Sequence, residues 1–157
     1  MKKKFAFALA VILLATAACQ KIPVEEEENI PQPQTEFKGK VIAGTATPYL
    51  AYSREDYELA LTTRPYVVLY FYANWCPICA AEQPKTKEAF NELSRADMVG
   101  FRVNFRDSDT DENEAELARQ FGVAYQHTKV VLKNGERILK SPESWSKEDY
   151  LTNLEKI

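Results

Sequence analysis

The sequence predicts an α/β fold, a central mixed β-sheet flanked by helices, on three observations. Tyr66–Ala73 (YVVLYFYA) is an unbroken run of apolar, β-branched and aromatic residues bounded by Pro65 and Asn74, the pattern of a strand buried on both faces. A helical stretch from about Cys76 to Ser94 and a strand pattern at Val99–Asn104 (VGFRVN) follow it and complete a β-α-β unit. Further on, Asn134-Gly135 separates Lys129–Lys133 (KVVLK) from Glu136–Lys140 (ERILK), a hairpin signal that adds antiparallel strands. At 157 residues, with 45% apolar side chains, the chain can bury one ordinary core.

In chain order, a short strand is expected near Lys40–Ala43 and a first helix over Ser53–Leu61. The buried strand, the Cys76–Ser94 helix and the Val99–Asn104 strand come next. Asp111–Phe121 (DENEAELARQF) opens with acids suited to a helix N-terminus and turns Ala115, Leu117, Ala118 and Phe121 toward a core. After the hairpin, Ser146 can cap a last helix to Ile157 whose Tyr150, Leu151 and Leu154 share a face. The expected order is β-α-β-α-β-α-β-β-α.

The first residues read as an address. Lys2, Lys3 and Lys4 precede an apolar stretch from Phe5 to Ala18, with small residues before Cys19, the layout of a secretory signal. The stretch is shorter than the roughly 20 residues a spanning helix needs. A cysteine directly after the small residues resembles the bacterial lipoprotein signal, which implies a signal peptide over residues 1–18 and lipid on Cys19. Without acylation, Cys19 would be a free thiol in an oxidising compartment. Residues 19–36, with a four-Glu run and three prolines, read as anchor and disordered tether, leaving residues 37–157 as the folded domain. The expected place is the bacterial cell envelope, outside the cytoplasm and tied to a membrane. Removing Lys2, Lys3 and Lys4 leaves 17 bases against 23 acids. An acidic domain without a Lys/Arg cluster does not suit nucleic acid.

Trp75-Cys76-Pro77-Ile78-Cys79 stands at the junction of the buried strand and the next helix. A thiol there meets unpaired N–H groups and the positive end of the helix dipole, which favour thiolate over thiol. Pro77 suits the first turn, where a missing N–H matters least. Cys79 follows by almost one turn, so the two sulfurs can meet. The expected chemistry is disulfide exchange: Cys76, read as the more exposed thiol, attacks a partner disulfide, and Cys79 resolves the mixed disulfide. The chemistry does not assign a direction. Half a zinc site is the rival reading, weakened because the chain has three cysteines and a single histidine, His127. A purely structural disulfide would close too small a loop to restrict the unfolded chain much.

With the strand before it, Pro84 eight residues after Cys76, and FGV…KVVLKNGE downstream, the segment from Phe37 to Ile157 resembles the thioredoxin superfamily. The resemblance implies a thioredoxin fold, a redox-active disulfide Cys76–Cys79 in place of any other cofactor, and no resident metal. Within the superfamily, YFYANWCPIC is similar to the reducing domain of DsbD, and CAAEQP to the TlpA/ResA group of membrane-tethered thioredoxins. Those relatives are extracytoplasmic reductants, which implies reduction. Two positions depart from the pattern. Tyr70 stands where the family carries a buried Asp as proton acceptor, and a phenol is a poor base near neutral pH. Glu82 matches the TlpA/ResA glutamate and is the candidate for proton exchange with Cys79, against a solvated helix-face role. His127 replaces the cis-proline that faces the cysteines. A cis bond before a non-proline costs about 2.5–4 kcal/mol, so this peptide is trans or strained. Its imidazole could stabilise the Cys76 thiolate or complete a metal site, or be a loop histidine without a role.

Asp107–Glu114 (DSDTDENE) faintly resembles a calcium loop, but Glu112 and Ala118 occupy the positions of its glycine and last acid. Capping and solvation explain it better. The leading expectation is a monomeric, membrane-tethered thiol:disulfide oxidoreductase that acts on protein thiols and disulfides in the cell envelope and is recharged by an electron donor the sequence does not identify. Cys76 and Cys79 are its catalytic pair, with Trp75, Pro77, Glu82 and His127 in support. The alternative is a copper or other soft-metal binding protein using Cys76, Cys79 and His127.

Overall fold

The computed structural model describes residues 36–157; the expectations for the signal, for Cys19 and for nearly all of the tether lie outside them. Six strands and four helices follow in the order β1 (Val41–Ala43), β2 (Tyr49–Ala51), α1 (Arg54–Thr63), β3 (Tyr66–Tyr72), α2 (Pro77–Glu92), β4 (Met98–Asn104), α3 (Glu112–Gln120), β5 (Thr128–Lys133), β6 (Glu136–Ser141) and α4 (Lys147–Glu155). The strands form one mixed sheet in the order β1-β2-β4-β3-β5-β6. β2, β4 and β3 run parallel, while β1, β5 and β6 pair antiparallel. This is the expected architecture with one strand more than the sequence reading supplied. Tyr49–Ala51 is only three residues long, too short for a visible alternation, and it exists through its register with Gly100–Arg102.

β3 is central because both its faces are apolar. Val67, Leu69 and Phe71 join Tyr57 and Ala60 of α1 and Leu117 and Ala118 of α3 in one core. Val68 and Tyr70 point the other way, toward Ala89 and Phe90 of α2 and Tyr150 and Leu154 of α4. The period-2 alternation of the strand thus separates two layers of helices. Each helix starts on a side-chain cap. Ser53, Asp111 and Ser146 accept from the backbone N–H three residues on, and the last two form reciprocal capping boxes with Glu114 and Asp149.

The α2 layer lies close to the sheet at Gly100. Tyr49 and Phe90 stack there with ring centroids 4.8 Å apart and planes 18° apart. A Cβ on residue 100 would come within 2.4 Å of the Phe90 ring. Close approach of α2, which carries the cysteine pair at its N-terminus, therefore requires glycine in β4. Gly100→Ala is expected to destabilise the protein by about 1–3 kcal/mol, as overpacking does. A lower urea midpoint at unchanged m-value is the result to look for; an unaltered midpoint would mean the Phe90 ring can move away freely.

Candidate active site

The cysteine pair is built where β3 ends. Ala73 is fully buried, and its carbonyl accepts from the Cys76 N–H at 3.1 Å. Cys76 then serves as N-cap of α2, its Sγ accepting from the Cys79 N–H at 3.2 Å. A sulfur that accepts from a helix N-terminus is placed to carry negative charge. Both residues are free thiols. Contrary to the expectation, Cys76 is hardly more exposed than its partner, at 2% against 0%. The exposed groups are its neighbours, Trp75 at 57% and Ile78 at 45%.

The acidic stretch after β4 buttresses this turn. Asp107 accepts from the Asn74 N–H at 2.8 Å, Ser108 from the Asn74 side-chain amide at 2.9 Å, and the Arg106 carbonyl from Trp75 Nε1 at 3.0 Å. Asp111 and Glu114 cap α3, and Glu114 also accepts from the Asn104 N–H at 2.8 Å. Capping was legible in the sequence. The support given to Asn74 and Trp75 was not, since it joins residues more than 30 positions apart.

Glu82 is no solvated helix-face residue: it is fully buried, because Lys129 on β5 meets it inside the protein. Lys129 Nζ lies 2.7 Å from Glu82 Oε1, with both side chains at zero exposure. The same oxygen accepts from the Tyr150 hydroxyl at 2.8 Å and the Trp145 N–H at 3.2 Å. Lys129 also donates to the His127 carbonyl at 2.9 Å and to the Glu143 carbonyl. All three protons of the ammonium are thereby used. The rings of Tyr70, Trp145 and Tyr150 surround it, with centroids 5.6, 5.0 and 5.9 Å away. Burial pulls the ammonium below its ordinary pKa, and the Glu82 carboxylate opposes that pull. No hydrogen bond joins Glu82 to Cys79, so its first partner is Lys129 and not the thiol. Lys129 is the residue sequence reasoning missed. Its signal was the register, which puts it opposite the inward-facing Tyr70.

His127 does come to the pair. Its peptide is trans and its φ is +53°, an uncommon conformation for a residue with a side chain. The Lys129 bond to its carbonyl holds it, and a 2.7 Å bond from the Thr128 hydroxyl to the Tyr125 carbonyl closes the turn around it. One ring nitrogen and the two sulfurs lie within 4.8 Å of one another. Burial and the Lys129 charge lower the imidazole pKa, favouring the neutral ring. The Tyr70 hydroxyl neighbours Cys79 without the geometry of a hydrogen bond, and burial holds it far above the usual phenol range. It is no proton acceptor. Burial also pushes the Cys79 thiol up from 9.0 to about 11.

Two outcomes follow from these charges. Lys129→Met strands a buried carboxylate and is expected to cost about 3–5 kcal/mol, whereas Lys129→Met combined with Glu82→Gln should cost clearly less than the sum of the single changes, a cycle read by urea denaturation. The raised Cys79 pKa means that folding favours the neutral thiol. That stability is present below pH 9.0 and is lost as pH rises toward about 11. The reduced protein should therefore lose stability relative to the disulfide form across that window, with the Cys79 13Cβ resonance titrating near its upper end. A resonance midpoint at an ordinary cysteine value would refute the burial account.

Comparison with known proteins fits this geometry. A thioredoxin family model matches residues 49–156. The chain is 28% identical over 129 residues to a protein disulfide-isomerase of Gallus gallus, covering 82% of this chain and 21% of that protein. It is 28% identical over 87 residues to a thioredoxin-like protein of Fusarium culmorum, covering 55% of this chain and 67% of that one. The chain thus spans about a fifth of the isomerase. Among solved structures, thioredoxin from Aeropyrum pernix superposes with a TM-score of 0.57 at 18% identity, over 75% of this chain and 93% of that one, a likeness of fold. With a buried strand leading into a cysteine-capped helix, and a family model spanning most of the folded residues, the chain belongs to the thioredoxin family.

Proposed function

We propose that the protein is a membrane-tethered, extracytoplasmic thiol:disulfide oxidoreductase that reduces protein disulfides. The observation that carries the chemistry is the asymmetric pair, in which Cys76 caps α2 and Cys79 lies behind it with its pKa pushed up to about 11. The Cys76 thiolate attacks one sulfur of a client disulfide, and the other client sulfur leaves as a thiol after taking a proton. Cys79 then loses its proton and attacks Cys76 Sγ, which releases the second client thiol and closes the Cys76–Cys79 disulfide. Two electrons pass to the client. As Cys79 ionises, the nearby buried Lys129 ammonium stabilises its charge.

Reduction is favoured by the similarity of Tyr70–Cys79 to the reducing domain of DsbD and of Cys79–Pro84 to the TlpA/ResA group. Location rests on Met1–Cys19, with lipid on Cys19 and residues 19–36 as the tether. Clients meet Trp75 and Ile78 first.

The test is the midpoint potential of the Cys19→Ser chain in glutathione buffers with metals chelated. A value near about −270 mV is expected, and one near about −120 mV would overturn the reducing direction. In the same chain, Cys76→Ser should abolish reduction of a model protein disulfide, while Cys79→Ser should accumulate the mixed disulfide. Turnover surviving Cys76→Ser would remove the mechanism. Incorporation of labelled fatty acid that persists in Cys19→Ser would remove the anchor.

A further inference from the structure

We propose that the reduced pair forms, with His127, a binding site for a thiophilic d10 metal ion, Zn²⁺ or Cu⁺, held by Cys76 Sγ, Cys79 Sγ and one imidazole nitrogen. The proposal goes beyond the oxidoreductase reading and needs only the thiols, not turnover.

Geometry comes first. The three donor atoms lie within 4.8 Å of one another. Two sulfurs bound tetrahedrally to zinc at about 2.3 Å sit roughly 3.8 Å apart. The two sulfurs thus close on an ion by no more than about 1 Å, within the reach of small side-chain rotations. The imidazole is delivered by the left-handed backbone at His127, which Lys129 and Thr128 hold in place. A proline at this position would offer no donor.

A second observation is independent of the spacing. Among the described residues, His127 Nδ1 is buried and has no hydrogen-bond partner. Such a nitrogen is costly to leave unpartnered in an ordinary loop, and an ion bound at Nδ1 would supply the partner it lacks.

Charge then separates the candidate ions. Two thiolates and a neutral imidazole around Zn²⁺ sum to zero, and the buried Lys129–Glu82 pair beside them is also neutral as a unit. Cu⁺ leaves one negative charge in the same buried place, so the balance favours zinc. Three protein ligands leave a tetrahedral ion one position for water or an incoming thiol.

Binding displaces the two thiol protons and moves no electrons. Oxidation of the pair to the disulfide removes two electrons and both thiolate ligands, so it expels the ion. The metal therefore holds the pair reduced. At a free concentration one hundred times its dissociation constant, it multiplies the reduced-to-oxidised ratio about 100-fold, or about 59 mV at 29.6 mV per decade.

The experiment uses the full chain carrying Cys19→Ser, reduced, and titrated with Zn²⁺ against a chromophoric chelator and with Cu⁺ against a copper-specific one. One ion per chain is expected, abolished by Cys76→Ser and weakened at least tenfold by His127→Ala and by His127→Pro, whose folding is checked by circular dichroism. The arm with the tighter binding identifies the ion. Zn²⁺ should also raise the midpoint potential in glutathione buffers, and His127→Pro should shrink that shift. Loss of neither affinity nor shift in both His127 variants would overturn the site, as would failure of both ions to compete with their chelators. Reduction of a model disulfide in chelated buffer is a separate measurement, so failure of the metal site and failure of the oxidoreductase reading are distinguishable.

Discussion

One buried cation organises the active end of this protein. The Lys129 ammonium comes from β5 and touches Glu82 of α2, the His127 carbonyl and the Glu143 carbonyl. These belong to the helix that carries the cysteines, the loop that faces them and the connection into α4. An ammonium without water must find every hydrogen bond inside the protein, and it can do so only when all three segments are in position. Tyr150 and the Trp145 N–H, both bonded to the same Glu82 oxygen, bring α4 into the arrangement. The pair is thus a device for assembling parts distant in sequence around Cys79. Its net contribution to stability is a separate matter, since buried ion pairs often gain little over apolar packing.

The His127 backbone depends on that cation. A side-chain-bearing residue at φ +53° needs its surroundings to fix it, and the Lys129 bond to its carbonyl supplies part of that constraint. In a family whose pattern has proline at this point, the substitution keeps the loop against the cysteines and changes what it presents to them. An aliphatic ring becomes a soft donor with one buried nitrogen lacking a partner.

Much of this could be read from the chain, and the reasons are local. Tyr66–Ala73 and Val99–Asn104 announced themselves by composition, Asn134-Gly135 by turn chemistry, Asp111 by the acids that open its helix, and Ser146 by its own capping side chain. Cys76 and Cys79 followed from helix geometry, and the position of His127 followed from the family resemblance, which puts it where a proline faces the pair. β2 was hidden because three residues carry no period and its identity lies in pairing with β4. The role of Lys129 was hidden because a lysine in Lys129–Lys133 reads as a solvated strand end. Only its register against Tyr70 turns it inward. For Glu82 the choice between a proton-exchange role and a solvated one stayed open for the matching reason, as its burial is decided by a residue 47 positions away. Exposure of Cys76 was overestimated because helix geometry says nothing of how Ala73 and Tyr72 pack around the pair.

The sheet ends on two unequal margins. β1 is three residues long, and β6 turns Glu136, Arg137 and Lys140 outward along most of its length. Short strands and charged margins are how a sheet declines to grow. Among the described residues, neither margin gives another polypeptide a long apolar edge on which to add a strand. The exposed apolar side chains of Trp75, at the turn after β3, and Ile78, in the first turn of α2, lie instead at the end of the sheet that carries the cysteine pair. Copies of this chain crowded together at high concentration would keep their sheets separate.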